Sequence, residues 1–432
     1  MSGLGSLFEA QDMTQGRPMT NLLRFAVPLL IGNFAQQMYS TVDSIVVGRY
    51  VGDAALSAIG TTMPVLNLLI VLFMAVATGA GIMVAQYYGA KQKDLLTKAI
   101  GNAMTSVFVV ALLIMAIGIP LSGSLLKLTN TPVETFDMAR SYLTIMLWGV
   151  MASGFYNITS GILRGLGNTA FPLIVLLLAS LLNTILDMWF VGGLEWGVAG
   201  AAVATIISQA VSAVLCIAKL WRMRDTVQMD LKALVPDRDT IGKVLRLGLP
   251  AGVTQGIFSI SQVFVQSLTN SMGYQVVTCT TAVMRIDGFA MMPNFTFGMA
   301  IATFVGQNIG ANRMDRVDQG IKDVIKASLT TSVTLVSCLM LFGPKLIGLF
   351  TRTESIIALG TRQLRILALG YVAMAFTQIF GNIMRGAGDT MPSMWISLFT
   401  TVGIRVPVAY LLAYLTRSSA SPNGVPEAIF FS

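Results

Sequence analysis

Stretches of twenty or more apolar residues recur along the whole chain, and each is long enough to cross a roughly 30 Å hydrocarbon layer as a helix. Nothing constrains the fold more. Backbone polar groups at membrane depth must be satisfied within the segment, so such stretches are helices unless they close into a barrel. No strand-length alternation of the kind a barrel needs recurs here. Of 432 residues, 54% are hydrophobic and 11% are charged, against about 25% charged in an ordinary soluble domain. The expected class is an all-α polytopic membrane protein.

Eleven spans are read in order, at about 21–48, 55–88, 95–120, 136–163, 169–192, 197–221, 244–270, 276–309, 319–348, 355–384 and 390–416. Residues 1–20 form a polar tail with no cleavable signal peptide. The longest polar segment, 222–243, is the expected linker between an N-terminal bundle (21–221) and a C-terminal bundle (244–432). Sliding the chain on itself exposes a duplication. Residues 142–169 match 363–390 at 11 of 28 positions at an offset of 221, and QYYGAKQKD (86–94) matches QNIGANRMD (307–315) in the same register. RFAVP (24–28) matches RLGLP (246–250) at an offset of 222. Each half carries an even number of spans, which predicts two six-helix bundles related by a pseudo-twofold axis along the membrane normal. GVAGAAVA (197–204) opens the sixth span, and GVPEAIFF (424–431) stands where its equivalent should open. The twelfth span is therefore expected to be incomplete in this chain.

Lys and Arg set the orientation. With a cytoplasmic N-terminus, 18 of them fall on the inside and 8 on the outside. The net charge of +8 then belongs to cytoplasmic loops on an inner or plasma membrane, and no nucleic-acid partner is implied. There is no histidine, which removes His metal sites and His proton relays; the three cysteines, Cys216, Cys279 and Cys338, lie in apolar stretches and read as small buried hydrophobes.

The polar residues inside the spans are the functional candidates. An ionised carboxylate at membrane depth costs at least about 2.5–3.5 kcal/mol, and chains that keep one face it toward water or a partner. Asp43 ends the first span and Asp187 lies in the fifth. Asn33, Gln36, Tyr39, Ser40 and Asp43 share one helical stripe, the pattern of an aqueous cavity wall; the plainer readings are polar contacts between helices and, for Asp43, a helix end at the interface. Asn183 and Asp187, four apart, share a face that suits a proton or the hard-oxygen demands of sodium. Thr205 in the sixth span is uninformative by itself, because threonine commonly bonds back to its own helix. Pro28 predicts a kink in the first span. The second half offers Gln255, Arg285 and Asp287 as polar candidates, but no acid on its seventh or tenth span. The RGLGNT and RGAGDT turns lack phosphate-loop spacing and read as helix stops, with glycine past the C-terminus and Asn168 or Asp389 capping the next span. No paired nucleophile and base, ligand cluster or aspartate-rich magnesium motif is present, so the chain is not expected to be an enzyme.

These motifs together resemble the multidrug and toxic compound extrusion (MATE) transporters: the duplicated RGxGxT turns, the QxxGA turns after the second and eighth spans, and the AxP or GLP entry to each half. The resemblance covers about residues 20–432. It implies two bundles forming a V-shaped cavity, and export of cationic or amphipathic drugs or toxic metabolites in exchange for H+ or Na+. Its DinF-like and archaeal-like branch carries Tyr-x3-Asp, Asn-x3-Asp and a sixth-span Thr, matched here by Tyr39 and Asp43, Asn183 and Asp187, and Thr205. In that frame Asp43, Asn183 and Asp187 are where sodium would bind, Pro28 is the bending hinge, and Asn157 is a weaker cavity match. A monomer is expected, with no cofactor beyond the coupling ion. The alternative is a lipid-linked oligosaccharide flippase of the same superfamily, which calls for several cavity cations where this chain offers few beyond Arg285 and Arg405.

Overall fold

The computed structural model describes residues 9–51, 53–128, 131–223, 226–227, 231–349, 353–417, 425–426 and 430, apart from the side chains of 39–50, 53–54, 56–57, 68–70, 128, 231, 263, 274 and 369. Among the described residues every regular element is helical, as the apolar runs demand. In chain order these are α1 (Pro18–Tyr50), α2 (Asp53–Gly89), α3 (Lys93–Leu128), α4 (Val133–Trp148), α5 (Val150–Gly165), α6 (Ala170–Asp187), α7 (Gly197–Arg222), α8 (Arg238–Ser271), α9 (Tyr274–Gly310), α10 (Met314–Gly348), α11 (Glu354–Ala387), α12 (Met391–Leu398) and α13 (Val406–Leu415). Helices α4 and α5 are separated by Gly149 alone. Two wide π-helical turns, Met188–Gly193 and Phe399–Arg405, extend α6 and join α12 to α13. Seven described helices are long and apolar enough to cross a membrane, and an eighth results if 354–368 and 370–387, bent by 41°, count as one span. The chain is an all-α, multi-pass membrane protein.

The fold divides into two compact units. The first holds residues 1–16, 23–252 and 306–314; the second holds 17–22, 253–305 and 315–432. The core of the first lies among α2, α3, α4, α5 and α7, around Phe73, Leu143, Leu147, Ile158 and Ile162. A seam of small residues lets α2 and α5 approach closely, as is usual where no hydrophobic force separates helices from lipid. A Cβ on Gly165 would sit 2.7 Å from the Gly81 carbonyl oxygen, and one on Gly161 3.2 Å from that of Ala77. The second unit repeats the seam at the same offset: a Cβ on Gly386 would sit 2.4 Å from the Ala302 oxygen, and one on Gly298 2.6 Å from Asn382 Nδ2. Where the first repeat pairs Ala77 with Gly161, the second exchanges the sizes and pairs Gly298 with Asn382.

The repeat also appears in backbone conformation. Gly167 and Gly388, in the two RGxGxT turns, both have positive φ (83° and 88°), as do Lys91 and Asn312 (56° and 58°) in the two QxxGA turns. These turns are the helix stops the sequence predicts, and Asn168 Oδ1 accepts from the Phe171 N–H (3.0 Å) to cap α6. The QxxG glycines serve a close crossing within the first unit. A Cβ on Gly89 would fall 1.9 Å from the Gln307 oxygen, and one on Gly310 1.9 Å from the Gln86 oxygen. Against this crossing rests the N-terminal segment. Met13 is fully buried; its N–H donates to Gln307 Oε1 (2.9 Å) and its carbonyl accepts from Asn308 Nδ2 (3.2 Å).

The segment before α8 is fastened to α3. Asn102 Oδ1 accepts from the Asp237 N–H (2.7 Å), the Thr105 hydroxyl donates to the Leu234 carbonyl (2.8 Å), and Lys98 Nζ lies 3.1 Å from Asp237 Oδ2. Gly101 makes this possible, since a Cβ there would meet the Ala233 oxygen at 2.1 Å. Asp237 also caps α8, accepting from the Thr240 hydroxyl (2.6 Å) and N–H (2.9 Å). Those Thr240 bonds, helped by Lys98, hold the Asp237 carboxyl down at about 2.

Candidate ion-coupling site

The α6–α7 pair carries three of the first-half candidates, Asn183, Asp187 and Thr205. Asn183 and Asp187 lie one turn apart at the end of α6, each only 1% exposed. The spacing of four puts them on the same face, turned into the unit. Thr205 on α7 meets Asn183 from the neighbouring helix: Asn183 Nδ2 lies 3.5 Å from Thr205 Oγ1, whose own hydroxyl donates to the Ala201 carbonyl at 2.9 Å. An amide oxygen, a carboxylate and a hydroxyl are hard oxygen donors, and the same set accepts a proton through hydrogen bonds.

Local sequence explains the geometry. Asp187 is the last residue of α6 before the helix widens into the π turn Met188–Gly193. Such π turns frequently mark functional positions. The widened turn closes on itself, with the Leu194 N–H donating to the Trp189 carbonyl (2.8 Å) and the Trp196 N–H to the Phe190 carbonyl (2.9 Å). Phe190 and Trp196 stack at 5.0 Å. Gly200 lets α7 pack against this turn, since a Cβ there would crowd the Phe190 backbone and the Cβ atoms of Phe190 and Trp196 at 3.1–3.2 Å. The apolar run MWFVGG gave no sequence signal of a widened turn.

The α1 stripe is placed only in part. Pro28 is half-buried inside α1, close after Phe25, whose carbonyl accepts from the Thr169 hydroxyl at 3.0 Å. Asn33 is half-buried and Gln36 is exposed on the helix surface. The side chains of Tyr39, Ser40 and Asp43 lie outside the described residues. Asn157 is half-buried on α5 and donates to the Ser153 carbonyl of its own helix (2.9 Å).

In the second unit Gln255 and Arg285 are exposed, and Arg405 lies over the Phe258 ring with Nη2 3.5 Å from Gln262 Oε1. Asp287 accepts a hydrogen bond from the buried Tyr371 hydroxyl on α11. The sequence reading named Asp287 and missed Tyr371. It also missed Asn294, buried on α9, whose Oδ1 accepts from Ser328 (3.0 Å) and Ser332 (3.1 Å) on α10. The i, i+4 spacing of those two serines was the available signal. Among the described residues no group of three metal-ligating side chains converges.

The family model MatE matches the chain twice, over residues 28–189 and 250–411. The chain belongs to the MatE family. The two matches coincide with the two repeats read from the sequence, and they make the protein a membrane transporter rather than an enzyme. Similar chains include the probable multidrug resistance protein YoeA of Bacillus subtilis (28% identical, over 91% of this chain and 86% of that one). Another is the probable multidrug resistance protein NorM of Thermotoga maritima (28% identical, 90% and 85%). Among solved structures, a MATE crystallised in a bent conformation superposes with a TM-score of 0.89, 26% identity and coverage of 97% and 92%. A MATE in the straight conformation gives 0.88, 26%, 97% and 93%.

Proposed function

We propose that this MatE-family transporter is a secondary multidrug exporter of the cell membrane. It exports cationic or amphipathic small molecules in exchange for H+ or Na+, and its N-terminus is cytoplasmic. The names of its relatives support the substrate class, and the Lys and Arg distribution supports the orientation. The observation that carries the coupling assignment is the burial of Asp187 beside Asn183, with Thr205 presented from the adjacent helix. A carboxylate at that depth is held where an ion neutralises it.

In this reading Asp187, Asn183 and Thr205 form the coupling site together with Asp43 and Tyr39 of α1, and Asn33, Gln36, Ser40 and Asn157 meet the substrate. Ion binding neutralises the carboxylates and α1 bends at Pro28, which disfavours bound substrate. The similarity to MATE structures described as bent and as straight fits a hinge of this kind. The ion acts only through its differential affinity for the two states. A flippase would need several exposed cations for a pyrophosphate, and Arg405, engaged with Gln262 and Phe258, is not free to be one of them.

Transport into proteoliposomes, with proton and sodium gradients imposed separately, tests the proposal. Wild-type protein should respond to one gradient, and Asp43→Asn and Asp187→Asn should both lose that response. Wild-type export rates in both variants would refute the coupling site.

A further inference from the structure

The second unit holds a half-buried carboxylate that the coupling site does not use. Asp287 lies 13 residues into the 37-residue helix α9, at a depth where an isolated charge is costly. Its hydrogen-bond partner is the Tyr371 hydroxyl. Tyr371 belongs to an apolar cluster with Val283, Ile286 and Ala290 of α9, Leu339 of α10, and Leu364 and Ala368 of α11.

No described cation offsets the charge. Arg285 is two positions away, on another face of α9, and is exposed. On α11, Arg362 and Arg365 line a cavity of about 900 Å³ with Met340, Pro344 and Glu354; neither Asp287 nor Tyr371 reaches it. Arg405 is held by Gln262 and Phe258. The Cys279 thiol, two turns back on α9, is engaged with Gln363. From α10, Leu339 and Ile347 lie in the same apolar cluster as Tyr371.

The repeat supplies a control. At the offset of 221, Asp287 and Tyr371 correspond to Leu66 and Val150, which pack in the apolar core of the first unit. Both equivalents are apolar side chains. A buried polar pair is often replaceable by apolar residues at no loss of stability, so packing alone does not account for Asp287.

We propose that Asp287 and Tyr371 form a proton-binding site in the second unit, separate from the group on α6 and α7. Tyrosine suits both protonation states. Its hydroxyl donates to the ionised carboxylate; once a proton from water bonds to a carboxylate oxygen, the new acid O–H donates to the tyrosine oxygen. The hydrogen bond survives in either direction, and only the charge changes.

The inference concerns proton occupancy, so its test reads protonation without transport, and failure of the proposed coupling role would not touch it. Infrared difference spectra of the reconstituted full chain, acidic minus alkaline buffer, should contain a protonated-carboxyl C=O band. The band should persist in Asp187→Asn, disappear in Asp287→Asn, and shift in frequency in Tyr371→Phe. An unchanged spectrum in Asp287→Asn would make the pair a structural clip and overturn the proposal. If Asp287→Asn does not fold, Asp287→Glu must move the band, and an unmoved band there overturns it equally.

Discussion

Asp187 and Asn183 were legible from spacing alone, because two polar residues four apart in an apolar run have one face to share. Thr205 was not. Its contact with Asn183 depends on which helix packs against α6, and only the family resemblance brought it in. Tyr371 was invisible for the same reason, standing 84 positions from Asp287 on a helix whose one acid, Glu354, is at its first residue. The Asn183–Thr205 contact is testable in isolation. Thr205→Val keeps the shape and removes the oxygen, at a cost of about 1 kcal/mol. Apparent affinity for the coupling ion should fall roughly fivefold, read as a rightward shift of ion-dependent transport, with little change in thermal midpoint.

At the level of elements, the helix stops and the repeat were readable, since glycine-rich turns and identities at a fixed offset are local signals. The π turn after Asp187 was hidden because MWFVGG has the composition of an ordinary helix end. The small-residue seam shows why glycine recurs at these positions. Gly165→Ala would push a methyl group to 2.7 Å from a backbone oxygen, which cannot yield as a side chain does. It should destabilise by about 1–3 kcal/mol, the usual scale of overpacking, read as a lowered melting temperature in detergent. Gly256→Ala, with nothing within 4 Å, should not be destabilised in this way. Gly89→Ala and Gly310→Ala, each 1.9 Å from a carbonyl oxygen, should abolish recovery of folded protein, whereas the same change at Gly256 should not.

For the molecule as a whole, composition settled the class and the duplication settled that there are two repeats. Composition could not show that the segment before α8 is fastened down. WRMRDTVQMDLKALVPDRDTIGK reads as a polar tether, but α8 begins at Arg238 and the residues before it grip α3. Its attachment should depend on acid. The Asp237 carboxyl titrates at about 2, below the roughly 3.9 of a free aspartate. Its contribution is therefore complete above about pH 4 and drains away as pH falls toward 2. Pepsin should leave 231–238 intact at the upper end of that window and cut it at the lower end. Asp237→Ala should be cut throughout. Lys98→Met should change little, because its half-exposed ion pair contributes weakly.

The buried Met13 has a practical consequence for anyone producing this protein. Trimming ragged ends is a common way to improve membrane-protein crystals, and the polar first twenty residues invite it. Here a cut that removes Met13 would empty a fully enclosed socket and take away the backbone groups that bond Gln307 Oε1 and Asn308 Nδ2. Affinity tags and protease sites belong upstream of that segment.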